Sequence, residues 1–250
     1  MKLAFLFLCF TSLSIAQKSG GKKFHNDAVF ECYGDTIIND TFFMERVIRK
    51  DSYHAVFIET NRDSQFHNRL MDFSMDQEES FAYGLERIKE SGQKISQFDR
   101  KELPSNWLPL CSYNGKLYIE APADWGSAGR MIISDSLFIN WGSMDGPDPV
   151  PLANVEKNGE TWHISQQLYE LPEQQSYQPA DLYIRFIDSE KGIALWEYRQ
   201  DNESFYSLYV DAGKAKNFDA IVNYCETEKW SEFQTDEIDY NLFLPKKLTD

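Results

Sequence analysis

Apolar and polar residues alternate with a period of two along most of this chain, in short stretches rich in aromatic and β-branched side chains. Segments 28–33, 36–44, 54–60, 131–134, 137–141, 162–168, 182–187, 193–198 and 205–210 share this character, which suits pleated, half-buried strands. Asn114-Gly115 separates two such runs, and an Asn-Gly pair readily takes the positive φ angles of a two-residue type I′ turn. Segment 188–192 closes a further hairpin between 182–187 and 193–198, and Asn158-Gly159 leads into the stretch holding Thr161, Trp162 and Ile164. Consecutive hairpins imply an antiparallel sheet.

Two segments break the period. The first, 74–91, opens with Ser74 and Gln77 at capping-box spacing, places Phe81, Leu85 and Ile88 on one helical face and stops at Gly92. In the second, 214–228, Phe218, Ile221, Val222 and Cys225 fall on one helical face, with Asp219, Asn223 and Glu226 opposite. A strand would instead put Asp219 and Asn223 on the face of Ile221 and Cys225, so the pattern predicts a second helix. The expected fold is mainly β: a single antiparallel β-barrel or β-sandwich with about two peripheral helices, near 74–91 and 214–228.

The first sixteen residues change the picture of where this fold works. Lys2 followed by the apolar run 3–10, with the small residues Ser14 and Ala16 behind it, has the layout of a cleavable secretory signal. The expected mature chain begins at Gln17, with a polar arm over 17–26 and a mainly β domain over 27–250, in which 102–106 is a candidate sub-domain boundary. The predicted location is extracytoplasmic, secreted or periplasmic. No later apolar run approaches the length of a membrane span, so a water-soluble product without membrane insertion is expected. Cys9 lies inside the apolar run rather than just after the cut, which argues against a lipoprotein.

Charge excludes one class of partner. A net charge of −15 repels phosphate backbones, so nucleic acid is not an expected ligand. Cys32, Cys111 and Cys225 would survive processing, an odd number that allows one disulfide plus a thiol or three buried thiols, with no pairing specified. The four histidines, His25, His54, His67 and His163, are scattered without metal-ligand spacing, and neither a metal nor a cofactor is expected. A thiol-imidazole pair of Cys111 with His163 has no support in the local sequence. Asn39-Asp-Thr41 and Asn202-Glu-Ser204 match the glycosylation sequon.

Candidate chemistry concentrates in 121–151. There Trp-Gly-Ser occurs twice, at 125–127 and 141–143, on either side of a strand pair, in stretches whose glycine and proline content reads as loop. If that pair is a hairpin, both loops leave one end of the sheet. Asp124, Trp125, Arg130, Trp141, Asp145 and Asp148 then form the candidate binding residues. Indole faces stack on sugar rings and other flat apolar ligands, and carboxylates accept hydrogen bonds from hydroxyls. The same residues can instead plug the end of a barrel and hold turn backbone. The sequence thus favours an exported, non-catalytic module that binds a small molecule, a carbohydrate among the options, or a protein. The rival readings are a glycoside hydrolase using two of Asp124, Asp145 and Asp148, and an acidic structural or inhibitory protein with a basic partner.

Overall fold

The computed structural model describes residues 28–50, 52–74, 79–123, 128–141, 146–167, 181–200, 203–226 and 233–244. In chain order the first elements are β1 (Ala28–Ile38), β2 (Thr41–Arg49), β3 (Tyr53–Glu59), α1 (Gln65–Leu70) and α2 (Glu79–Glu90). Next come β4 (Asn106–Tyr113), β5 (Lys116–Ala121), β6 (Arg130–Ile133), β7 (Leu137–Trp141) and β8 (Asp148–Asn158). The last are β9 (Thr161–Gln166), β10 (Asp181–Asp188), β11 (Ile193–Gln200), β12 (Glu203–Asp211) and β13 (Ala220–Cys225). Short 3₁₀ turns follow β12 at Ala212–Asn217 and β13 at Tyr240–Leu242.

The expected β-barrel is present: eight strands, β4 and β6 through β12, close into an antiparallel barrel. Closure depends on β4. Its first residues pair with β6, Asn106 opposite Ile132 and Trp107 opposite Met131, while its later residues leave the barrel to pair with β5, Leu110 opposite Ile119. Beyond β5 the sheet continues as a wing in the order β13, β3, β2, β1.

Turn chemistry explains the hairpins. β4 and β5 are joined by Asn114 and Gly115, with φ of 49° and 72°, the left-handed pair that a type I′ turn requires. Asn39 and Asp40, with φ of 49° and 65°, join β1 to β2 in the same way. α1 packs on β5 and β13 of the wing; its N-cap Ser64 accepts a hydrogen bond from the His67 amide and its Leu70 is fully buried. The predicted helix near 74–91 is α2; it ends before Gly92, which has φ of 72°, and Gln77 of the expected capping box lies outside the described residues. Ile88 is buried, with Phe81 and Leu85 beside it, against Ile132, Leu137, Ile139 and Trp141 on the outer wall of the barrel. A Cβ at Gly84 would sit 2.5 Å from Pro149 Cδ, so only glycine lets α2 lie this close to β8.

Trp107, Trp162 and Trp196 are buried and fill the lumen with Phe138, Leu152, Ile164, Leu182 and Ile184. Trp230 lies outside the described residues.

Two expectations need correction. The segment 214–228 is not a helix: within it the 3₁₀ turn ends at Asn217 and Ala220–Cys225 is the strand β13. β13 is inserted between β3, to which it is antiparallel, and β5, to which it is parallel, and residues Ala220 to Asn223 are buried on both faces. A strand covered on both faces need not alternate, so its polar positions carried no information about its period. Second, Asp148, Pro149 and Pro151 belong to β8 rather than to a loop. The Pro151 carbonyl accepts from the Gln167 amide on the β9 side of the strand. In an antiparallel strand the nitrogen of a residue points the same way as its carbonyl, so Pro151, and Pro149 two positions earlier, remove no hydrogen bond to β7.

Candidate functional site

The two Trp-Gly-Ser segments flank one hairpin, as their spacing suggested. β6 and β7 pair with Arg130 opposite Trp141 and Ile133 opposite Phe138, and Ser134 closes the turn by bonding backbone and side chain to Leu137. The chain entering β6 and the chain leaving β7 therefore depart from the same end of the barrel. Asp148 joins them there, opposite Asn140 at the start of β8.

Of the six candidate residues, Arg130, Trp141 and Asp148 are described, and Asp124, Trp125 and Asp145 lie outside the described residues. Arg130 and Trp141 meet directly: the guanidinium carbon stands 3.9 Å from the indole centroid, and both residues are buried. Arg130 Nη1 donates to the carbonyls of Asp72 and Arg69, tying the chain after α1 to the barrel rim. Phe73 packs edge-on to Trp141, with centroids 6.5 Å apart. Trp141 is thus held from above by a cation and from the side by a ring, an arrangement that fixes the corner rather than leaving the indole face open. Asp148 is different. The residue as a whole is exposed, yet loss of water around its carboxyl raises its pKa, and the charge of Arg87 opposes that rise only in part.

The remaining titratable groups sort by burial. Cys111 is buried and its thiol points to the Tyr118 carbonyl at 3.6 Å; burial pushes its pKa up to about 12, an inert thiol. His163 lies far from that role, 2.8 Å from Asp181 Oδ1 and stacked on Tyr183 with centroids 4.6 Å apart. His67 is buried and its Nε2 contacts the Phe218 carbonyl at 3.2 Å, a structural position.

Sequence reading missed His54, Glu45 and Cys225, which come together on the wing although His54 and Cys225 are 171 residues apart. The only signal available was the pairing of β3 with β13, and reading 214–228 as a helix removed it. Among the described residues no group of three or more His, Cys, Asp or Glu is placed to hold a metal ion, and no helix is long and apolar enough to cross a membrane. No family model, curated protein or solved structure matches this chain.

Proposed function

We propose that this protein is exported and serves as a non-catalytic binding module, taking a small hydroxylated ligand of the sugar type at the corner of the barrel where β6, β7 and β8 end. One observation carries the reading: the register of β6 against β7 brings the chain that enters β6 from the Trp125 segment and the chain that leaves β7 after Trp141 together on a rigid base. That base is the buried Arg130–Trp141 pair, tied to the carbonyls of Arg69 in α1 and of Asp72 just after it. Rigid support is what a loop site needs in order to hold its contacts without losing binding energy to ordering. The lumen supports the same reading from the other side. It is packed with Trp107, Trp162, Trp196 and Phe138, so a ligand meets the barrel at its rim.

On this reading Trp125 supplies the stacking face, and Asp124, Asp145 and Asp148 supply acceptors for hydroxyls. The test is calorimetric titration of the mature chain with a panel of soluble oligosaccharides. Trp125→Ala and Asp145→Asn are each expected to weaken binding at least tenfold, about 1.4 kcal/mol, with an unchanged far-ultraviolet spectrum. Binding equal to that of the unaltered chain in both variants overturns the site. Turnover of aryl glycosides that disappears in Asp148→Asn would replace the binding module by a hydrolase, since a carboxyl whose pKa burial raises is what a glycosidase acid requires. Export predicts that the chain recovered outside the cytoplasm begins at Gln17.

A further inference from the structure

We propose that Cys225 is an activated thiol, set up by His54 and Glu45, which exchanges with disulfides of small molecules or partner proteins. Val47, His54 and Cys225 form one cross-strand row through β2, β3 and β13, so the imidazole and the thiol project from the same face of the wing. Cys225 Sγ lies 3.3 Å from His54 Nδ1. On the far side of the ring, His54 Nε2 lies 3.6 Å from Glu45 Oε2. The register of β2 against β3 shifts between Phe43 and Glu45, a bulge at the point where the carboxylate meets the ring.

This order of groups has a direction. A carboxylate beside Nε2 favours the tautomer with its proton on Nε2, which leaves Nδ1 as the acceptor facing the thiol. Sγ can then pass its proton to Nδ1, and the imidazolium lies between a thiolate and a carboxylate. His54 is only 2% exposed, and a charge there is costly unless it is paired. Register and alternation place Glu45 and Arg49 of β2, Glu120 of β5 and Asn223 of β13 on this same face, and the Glu45 carboxylate lies 3.6 Å from the ring. Cys225 itself is partly exposed, so a disulfide can reach it, whereas Cys111 is buried beside the Tyr118 carbonyl.

Exchange asks for no more than this: a thiolate, access and a leaving thiol. The Cys225 thiolate attacks one sulfur of R–S–S–R′, and the Cys225–S–S–R bond forms as the S–S bond of the substrate breaks. The departing R′–S⁻ takes the proton held by His54 and leaves as R′–SH. No external oxidant is consumed, because the incoming disulfide is the oxidant.

The experiment uses the folded mature chain, reduced and freed of reductant, with oxidised glutathione as the probe at pH 7 and peptide mass mapping to identify the modified cysteine. Mixed disulfide is expected at Cys225, formed roughly five- to tenfold faster than on a thiol with the ordinary pKa of about 8.5. Its pH–rate profile should have its midpoint below that value. His54→Gln should move the midpoint back to the ordinary range and remove the advantage; Glu45→Gln should move it part of the way. Modification confined to Cys32, or a Cys225 profile that His54→Gln leaves unchanged, overturns the proposal. Should His54→Gln fail to fold, the profile of the unaltered chain decides alone, and a midpoint at or above about 8.5 counts against it.

Discussion

Trp196→Ala is expected to cost about 3–5 kcal/mol, enough to leave the barrel molten or unfolded, whereas Trp196→Phe is expected to leave it folded. Trp196 is fully buried at the centre of the lumen, with Trp107 at 5.4 Å, Tyr209 at 4.2 Å and Phe138 at 6.3 Å between ring centroids. Alanine removes a large apolar surface and leaves a cavity bounded by strands on every side, which cannot collapse without breaking barrel closure. The indole Nε1 has no hydrogen-bond partner among the described residues, so phenylalanine gives up volume but no hydrogen bond. Trp107 makes the useful contrast, because its Nε1 donates to the Pro104 carbonyl at 2.9 Å and phenylalanine there would leave that carbonyl unpaired. Urea unfolding followed by circular dichroism measures the difference. A Trp196→Ala midpoint within error of the unaltered chain would mean that the lumen does not hold the fold together.

The same tryptophans mark what the sequence made legible. Where one face of a strand meets the core and the other meets solvent or a thin cover, the period of two survives: Trp162, Ile164, Leu182 and Ile184 are buried, and His163 and Tyr183 between them are not. Where a turn demands an unusual backbone, its residues announce it, as Asn114-Gly115 do. What fails is information that local sequence does not contain. β4 leaves the barrel near Pro109, halfway along, to start the wing, and its local pattern does not say that β6 is the neighbour before that point and β5 after it. β8 was hidden by its prolines, which are harmless because their nitrogens point away from β7. The candidate corner was readable as far as the hairpin geometry, because equal loop motifs on either side of one strand pair must emerge together. The burial of Arg130 and Trp141 was not, since it depends on α2 and the carbonyls after α1, which are remote in sequence. The wing site was out of reach for the same reason, compounded by β13.

β13 also explains the second large expected effect. Asp219, the residue just before this strand, falls on the polar face of the helix that the pattern predicts; in the structure its carboxylate is 12% exposed, 2.6 Å from Arg62 Nη2 and 2.5 Å from Lys116 Nζ. Its backbone carbonyl accepts from the Ile119 amide, so the residue pins β13 to β5 and, through Arg62, to the loop after β3. Asp219→Asn keeps the shape and removes the charge. The expected loss at pH 7 is about 2–3 kcal/mol, carried mainly by the Arg62 bond, because Lys116 is 59% exposed and its pairing is screened. Burial by itself would raise the Asp219 pKa above its ordinary 3.8, but hydrogen bonds and charge from Lys116 and Arg62 outweigh it and hold the pKa lower. A carboxyl with a folded pKa below its unfolded one stabilises the fold above the unfolded value, and that contribution is lost as pH falls through the folded one. The unaltered chain should therefore lose stability more steeply than Asp219→Asn as pH falls below about 4, and the gap between the two should narrow as pH falls further. Urea midpoints measured across that range test the point: a gap between the two proteins that is the same at pH 7 and pH 2 would show that the carboxylate acts through shape and not through its charge.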